Sequence, residues 1–429
     1  MAASRWGAAF SFAASDFRPL WAALPFAGQT RAGGGMQARG GRIGRAALAA
    51  ASALALCACV PDMASVGSSV VTNVSTAGGL LATPTGAPRP VQLFVASTRQ
   101  AEKGALAESI GPTKFGFTVM TVPPGHKAGV IEQPSWGAPD ARRHFKIESR
   151  TPLERDEFFT QIAMNLSGRV GSNRDVLLFI HGFNNSLDDA RLRLTQIVAD
   201  AGFGGVPVVF SWPSKRDFLA YGGDREIATA SRDSLEQVVK GLAAVPGVGR
   251  VHVLAHSMGT WLAMETLRQI AIAGDPTLGG RLGEVMLAAP DLDLGVFQQQ
   301  MARLPGARVS VFSTTNDRAL TLSSTLSGRS RLGAVDLKDR TVREALEAMG
   351  VKVYDITDEA SGVIRHGAFA EAPGVVRSIG ARLAEPRVED AKAQAIIGQR
   401  PEPIVPRPAI ETSALPPPGA PAPAPVPTL

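Results

Sequence analysis

The sequence predicts an α/β fold: a mostly parallel central sheet with helices on both faces. Three observations predict it. Strand-length apolar runs alternate with helical patterns from Asp175 onward. The first of them, DVLLFIHG, is apolar at consecutive positions, as in a strand covered on both sides. A later run passes through a small-X-Ser-X-small turn into an amphipathic helix. The chain has 429 residues, 45% hydrophobic and 19% charged. That fits one large domain with flanking segments and excludes a wholly disordered chain, a disulfide scaffold and a polytopic membrane protein.

Taken in order, strand-like runs at Gln92–Ala96, Gly116–Val122 and His144–Ile147 are separated by Gly/Pro breakers and lead to a helix from about Pro152 to Leu166. DVLLFIHG (175–182) then reads as a buried strand, 187–202 as a helix and VPVVFSWP (206–213) as the next strand. A helix at 224–243 precedes the strand RVHVLAHS (250–257), which turns into a helix over 258–273. EVMLAAPD (284–291), ARVSVFST (307–314) and VKVYDI (351–356) complete the series. The expected organisation is an upstream extension and signal peptide (1–58), a Ser/Thr/Gly/Pro tether (59–89), the main domain (90–384) and a disordered Pro/Ala-rich tail (385–429), with eleven prolines in 401–429.

The net charge of +6 suggests nucleic acid until its distribution is read. Residues 1–58 hold six arginines against one acid and so carry +5 of it, leaving 38 basic against 37 acidic residues. No basic stripe for a phosphate backbone remains, so a nucleic-acid partner is not expected. From Met36, an alternative start, a basic stretch leads into an apolar run from about Ala46 to Leu56, too short to span a bilayer and shaped like a secretory signal. It ends in Leu56-Cys57-Ala58-Cys59, which resembles a bacterial lipobox. Cys59, after the small Ala58, is the expected lipidation site, and Val60 beside it favours the periplasmic side of the outer membrane in the cell envelope. A hydrophobic helix with two incidental thiols is the alternative. Both cysteines of the chain fall in this window, so the rest can form no disulfide.

The string VHVLAHSMG (251–259) carries the chemistry. Ala255 and Gly259 permit the tight turn that lifts Ser257 above the sheet as a nucleophile, a helix cap being the plain alternative. In sheets of this kind a catalytic triad runs Ser, acid, His. His126, His144, His181, His252 and His256 all precede Ser257, so His366 is the expected base. Asp317, after the strand at 307–314, is the first candidate acid and Asp291 the alternative. The oxyanion donors are expected to be the backbone N–H groups of Met258 and Phe183. His181 reads as structural or pocket-shaping. The spacing Asp291-X-Asp293-X-Gly295 lacks the other ligands of a calcium loop, so no metal is expected, and no cofactor.

The strings FIHGFNN (179–185), FSWPS (210–214), YGGDRE (221–226), SRDSL (231–235), AHSMG (255–259), LAAPDLD (287–293) and NDRAL (316–320), with LFVASTRQ (93–100), VPPGHKAGVIE (122–132) and the His366 loop, together resemble a bacterial family of α/β hydrolases described as esterase/lipase-superfamily proteins. The resemblance covers about residues 90–380. It implies the α/β-hydrolase fold, the Ser257, Asp317, His366 triad and no cofactor, but no particular substrate. It also suggests Trp212, Tyr221, Asp224 and Arg225 as walls of the site, beside His181, Asn184 and His256. The alternative reading is strand-end packing for Trp212 and an ion pair at a helix start for Asp224 with Arg225. The expected function is cleavage of a small-molecule or lipid ester through an acyl-enzyme, with membrane attachment at Cys59 and the Pro-rich tail open to a partner. A thioesterase or acyltransferase would use the same residues. A non-catalytic envelope scaffold and a cytoplasmic hydrolase with a misread leader are the remaining alternatives.

Overall fold

In the computed structural model, which describes residues 86–100, 110–215, 217, 220–359 and 366–385, the apolar runs join in one nine-stranded sheet. In chain order the elements are β1 (Arg89–Ser97), β2 (Lys114–Val122), β3 (Lys146–Leu153), α1 (Arg155–Leu166), β4 (Val176–Ile180), α2 (Leu187–Ala201), β5 (Val206–Ser211), α3 (Tyr221–Ala230), α4 (Arg232–Ala244), β6 (Val251–His256) and α5 (Met258–Ile272). There follow β7 (Leu282–Ala288), α6 (Leu294–Met301), β8 (Arg308–Ser313), α7 (Arg318–Ser327), α8 (Arg340–Ala348), β9 (Lys352–Asp355), α9 (Ala368–Glu371) and α10 (Pro373–Leu383). The sheet order is β3-β2-β1-β5-β4-β6-β7-β8-β9. The β1–β2 and β2–β3 pairs are antiparallel and the others parallel. The expected leader and Cys59, the expected tether up to residue 85 and the Pro-rich tail after residue 385 lie outside the described residues; Arg89, expected in the tether, opens β1.

Alternation in β4 builds two cores from one strand, because successive side chains point to opposite faces. Val176, Leu178 and Ile180 belong to the core that also holds buried residues of α1, α4, α5, α6 and α8, while Leu177 and Phe179 belong to the one that holds residues of α2, α9 and α10. The chain leaves β4 for β5 on one side and later returns to β6 on the other. The carboxyl ends of β4 and β6 are therefore neighbours at a point where strand order reverses, where sheets of this kind form a crevice.

Three sequence expectations are corrected. Pro152 belongs to β3 rather than to a helix, which is permitted because β3 is an edge strand, paired on one side only, where proline is tolerated. The expected helix over 224–243 is two helices, α3 and α4. At their junction buried Ser231 turns its hydroxyl back to the Ile227 carbonyl (3.0 Å), a bond that bends helices. Hydrophobic periodicity marks no helix after residue 273, where the structure has α6 to α10; α7, RALTLSSTLS, is rich in weak helix formers and depends on its cap.

A polar clamp holds the β2–β3 loop to α2. His126 bonds Glu132 through Nδ1 (2.9 Å) and Asp200 through Nε2 (2.7 Å). Asp200 also accepts from the Gly129 N–H and from Gln196, which donates to the Ala370 carbonyl in α9. Burial pulls the His126 basicity down, but the bonds and charges of Asp200 and Glu132 outweigh it and raise its pKa above the usual 6.5. A raised folded pKa means stability that is fully present below the unfolded value and lost as pH rises through the folded one. The thermal midpoint is thus expected to fall as pH rises above the ordinary histidine value and through the raised folded one, and His126→Gln to flatten that fall. Equal slopes in the two proteins would remove the clamp from the account.

Candidate active site

The turn between β6 and α5 is strained at Ser257. Ser257 sits at φ 53°, ψ −125°, a conformation that costs a side-chain-bearing residue about 1–3 kcal/mol and needs its surroundings to hold it. Those surroundings are close. A Cβ on Gly259 would lie 2.4 Å from the His181 carbonyl oxygen and 2.7 Å from that of Ile180, so only glycine lets α5 start against β4. A Cβ on Gly182 would lie 2.8 Å from Ser257 Cβ. The loop after β4 therefore stands directly against the serine.

Asp317 and His366 meet, although 49 positions separate them. Asp317 is fully buried and caps α7: its Oδ1 accepts from the N–H groups of Ala319 (2.9 Å) and Leu320 (3.0 Å). Its Oδ2 accepts from His366 Nδ1 at 2.6 Å. Because Nδ1 carries the proton of that bond, Nε2 is left as the acceptor in the neutral ring. The Ser257 hydroxyl forms no hydrogen bond with His366 among the described residues. The elbow and the histidine are joined instead through His256, whose Nε2 lies 3.0 Å from the His366 carbonyl oxygen.

The alternative acid, Asp291, is engaged elsewhere. Its buried carboxylate pairs with Arg331 Nε (3.0 Å) and accepts from the hydroxyls of Ser323 (2.7 Å) and Tyr221. Burial first, and the Asp291 charge second, push the Tyr221 pKa up to about 12. The phenol keeps its proton, and its ring meets Phe183 edge-on at 5.6 Å. Asp293 caps α6 and pairs with Arg329 (2.7 Å).

Met258 is the first residue of α5, where backbone N–H groups have no partner within the helix. Phe183 lies on the β4–α2 loop, which several bonds hold. Asn184, at φ 60°, donates its N–H to Ser214 Oγ (2.9 Å), and the Asn185 side chain donates to the Phe183 carbonyl (2.8 Å). Arg99 reaches in from the end of β1 to the Asn185 carbonyl (2.5 Å) and Ser211 Oγ (2.8 Å). His181 is buried behind this loop, stacked on Trp212 at 5.2 Å, and its Nδ1 donates to the Gly182 carbonyl. Burial, with the Arg99 charge, takes its pKa down to about 3, so the ring is neutral. Fully buried Trp212 donates to the His181 carbonyl (2.9 Å) at the strand end.

The expected Asp224–Arg225 pair is corrected. Asp224 accepts from Ser214 Oγ (2.6 Å) and the Lys215 N–H (3.1 Å), and its carboxyl is raised above the usual range by burial. Arg225 instead lies over the Trp261 ring at 4.1 Å. Sequence reasoning gave no role to Arg99, Ser214, Ser323 or Arg331. The first two stand in LFVASTRQ and FSWPS, whereas nothing local marks the others. Among the described residues no group of three or more His, Cys, Asp or Glu could hold a metal, and no helix is long and apolar enough to cross a membrane.

The model of the family described as "Alpha/beta hydrolase of unknown function (DUF900)" matches residues 155–383. No curated protein matches the chain. Among solved structures it is similar to a predicted CIB-like hydrolase from Thermoplasma acidophilum (15% identity, 51% of this chain and 94% of that one, TM-score 0.31). It is also similar to an esterase from Pyrococcus furiosus (11% identity, 69% and 90%, TM-score 0.33) and to a cutinase-like protein from Cryptococcus sp. (16% identity, 50% and 96%, TM-score 0.29). The family match takes in Ser257, Asp317 and His366 and more than half of the chain: the protein belongs to this family of α/β hydrolases of unknown function.

Proposed function

We propose that the protein is a serine hydrolase that cleaves a carboxylic ester through an acyl-enzyme. The observation that carries this reading is the 2.6 Å bond from His366 Nδ1 to the buried, helix-capping Asp317, with a strained serine elbow on the neighbouring β6. Ser257 Oγ attacks the ester carbonyl as its proton passes to His366 Nε2, and Asp317 stabilises the imidazolium. The oxyanion that forms is held by the N–H groups of Met258 and Phe183. Collapse expels the alcohol, which leaves with the proton from Nε2, and water then repeats the sequence on the acyl-serine. The half-buried Phe183 and Tyr221 supply an apolar wall suited to an acyl chain or a lipid ester. A thioester, or transfer of the acyl group to an acceptor other than water, would use the same atoms.

The leader places this activity, on our reading, in the cell envelope: Cys59 anchors the chain at the periplasmic face of the outer membrane and the Pro-rich tail meets a partner. Mass spectrometry of the mature N-terminus checks it, a diacylglyceryl mass on Cys59 supporting the anchor and an intact leader rejecting it.

The deciding measurement is labelling of the purified full-length protein with a fluorophosphonate probe. Wild type is expected to label at one site, and Ser257→Ala and His366→Ala to abolish labelling. A well-folded wild type that does not react would sink the hydrolase reading and favour an envelope scaffold.

A further inference from the structure

We infer that His256, the residue before the nucleophile, is a positioning residue: its Nε2–H holds the backbone of His366 in register with the Ser257 elbow. This role rests on the reading of Ser257, Asp317 and His366 as a triad. A general base carried on a loop must be fixed in its ring and in its backbone. Asp317 holds only the ring. The His366 carbonyl oxygen lies 3.0 Å from His256 Nε2. A carbonyl has no proton to give, so Nε2 carries it and the His256 Nδ1 keeps its lone pair. That nitrogen faces Gly182, where a Cβ would come within 3.0 Å of it.

The ring is seated as a wedge. It stacks on Phe369 of α9 with centroids 4.5 Å apart and lies 4.6 Å from the His366 ring. It therefore bridges three pieces of chain, the end of β6, the His366 segment and α9. Since His256 is covalently joined to Ser257, the path from nucleophile to base is one peptide link, one side chain and one hydrogen bond.

Neutrality suits the task, because a charged neighbour would oppose the imidazolium that forms on His366. Burial holds His256 well below the usual histidine range, and the charges of His366 and Arg193 act in the same direction, against the His366 carbonyl. A ring that only filled the core would need no N–H, and its polar nitrogens would cost free energy to bury.

The test compares full-length wild type with His256→Phe, His256→Asn and His256→Gln, by fluorophosphonate labelling rate and by kcat and KM for p-nitrophenyl butyrate, per folded molecule. Phenylalanine keeps the flat ring without the donor. Asparagine is too short to reach the carbonyl, and glutamine places an amide N–H near the position of Nε2. A misplaced base costs about 10²-fold. Phe and Asn are expected to lose that factor in kcat with KM unchanged, and Gln to recover most of it. Should the Phe variant not fold, Gln against Asn decides. Variants that melt earlier yet turn over like wild type, or Gln and Asn variants of equal activity, would overturn this role alone. A wild type that does not label overturns the triad and this role with it.

Discussion

Asp317→Asn is expected to lower kcat by about 10⁴-fold while leaving the thermal midpoint nearly unchanged. The two effects separate because the two carboxylate oxygens have different partners. Oδ1 accepts from the Ala319 and Leu320 N–H groups, and an amide oxygen keeps those bonds and the α7 cap. Oδ2 accepts from His366 Nδ1–H. An amide nitrogen there sets a donor against a donor, and the ring relieves it by moving its proton to Nε2. That nitrogen must be unprotonated to take the Ser257 proton, so the tautomer is wrong and the base is lost. The check is hydrolysis of p-nitrophenyl butyrate beside a thermal melt, with Asp291→Asn as the comparison. A loss below tenfold for Asp317→Asn, or a larger one for Asp291→Asn at equal stability, would move the acid to Asp291.

Arg331→Leu is expected to destabilise the fold by about 3–5 kcal/mol, the usual consequence of leaving one member of a buried ion pair alone. Arg331 and Asp291 are each only 3% exposed at the side chain, with Arg331 Nε 3.0 Å from Asp291 Oδ1. Without the guanidinium the carboxylate retains only the hydroxyls of Tyr221 and Ser323. Adding Asp291→Leu to Arg331→Leu removes the orphaned charge and is expected to restore part of the loss, since an apolar pair is often as stable as a buried ionic one. Urea unfolding midpoints of the single and double variants measure this. A single variant within 1 kcal/mol of wild type would show that water reaches the cluster. Because Tyr221 leans on Phe183, loosening it is also expected to slow labelling of Ser257.

What was legible in the sequence follows from how local each signal is. The strands from β4 to β8 are readable because residues covered on both faces must be apolar at consecutive positions, as in the VLLFI of β4. Ser257 is readable because an elbow is set by its immediate neighbours, although the contacts that require glycine at 259, the Ile180 and His181 carbonyls at the end of β4, are tertiary. β3 is misjudged at its end because an edge strand is mostly exposed and tolerates proline. The split at Ser231 depends on a single side-chain bond that hydrophobic periodicity does not record.

The sequence by itself determined the fold class, the place of the candidate nucleophile Ser257 and, through chain order, that His366 alone among the histidines follows it. It put Asp317 before Asp291 as the candidate acid, each following a strand end. The tertiary structure gives the two different partners: Asp317 turns its second oxygen to His366, while Arg331, forty residues beyond Asp291, takes that carboxylate into a buried pair. It also turned Asp224 to Ser214 and Lys215 in place of Arg225 and joined His256 to the His366 backbone. The physical reason is the same throughout. Periodicity and turn chemistry are properties of neighbours along the chain, whereas the partner of a buried charge or donor is whichever group the packed fold brings within about 3 Å.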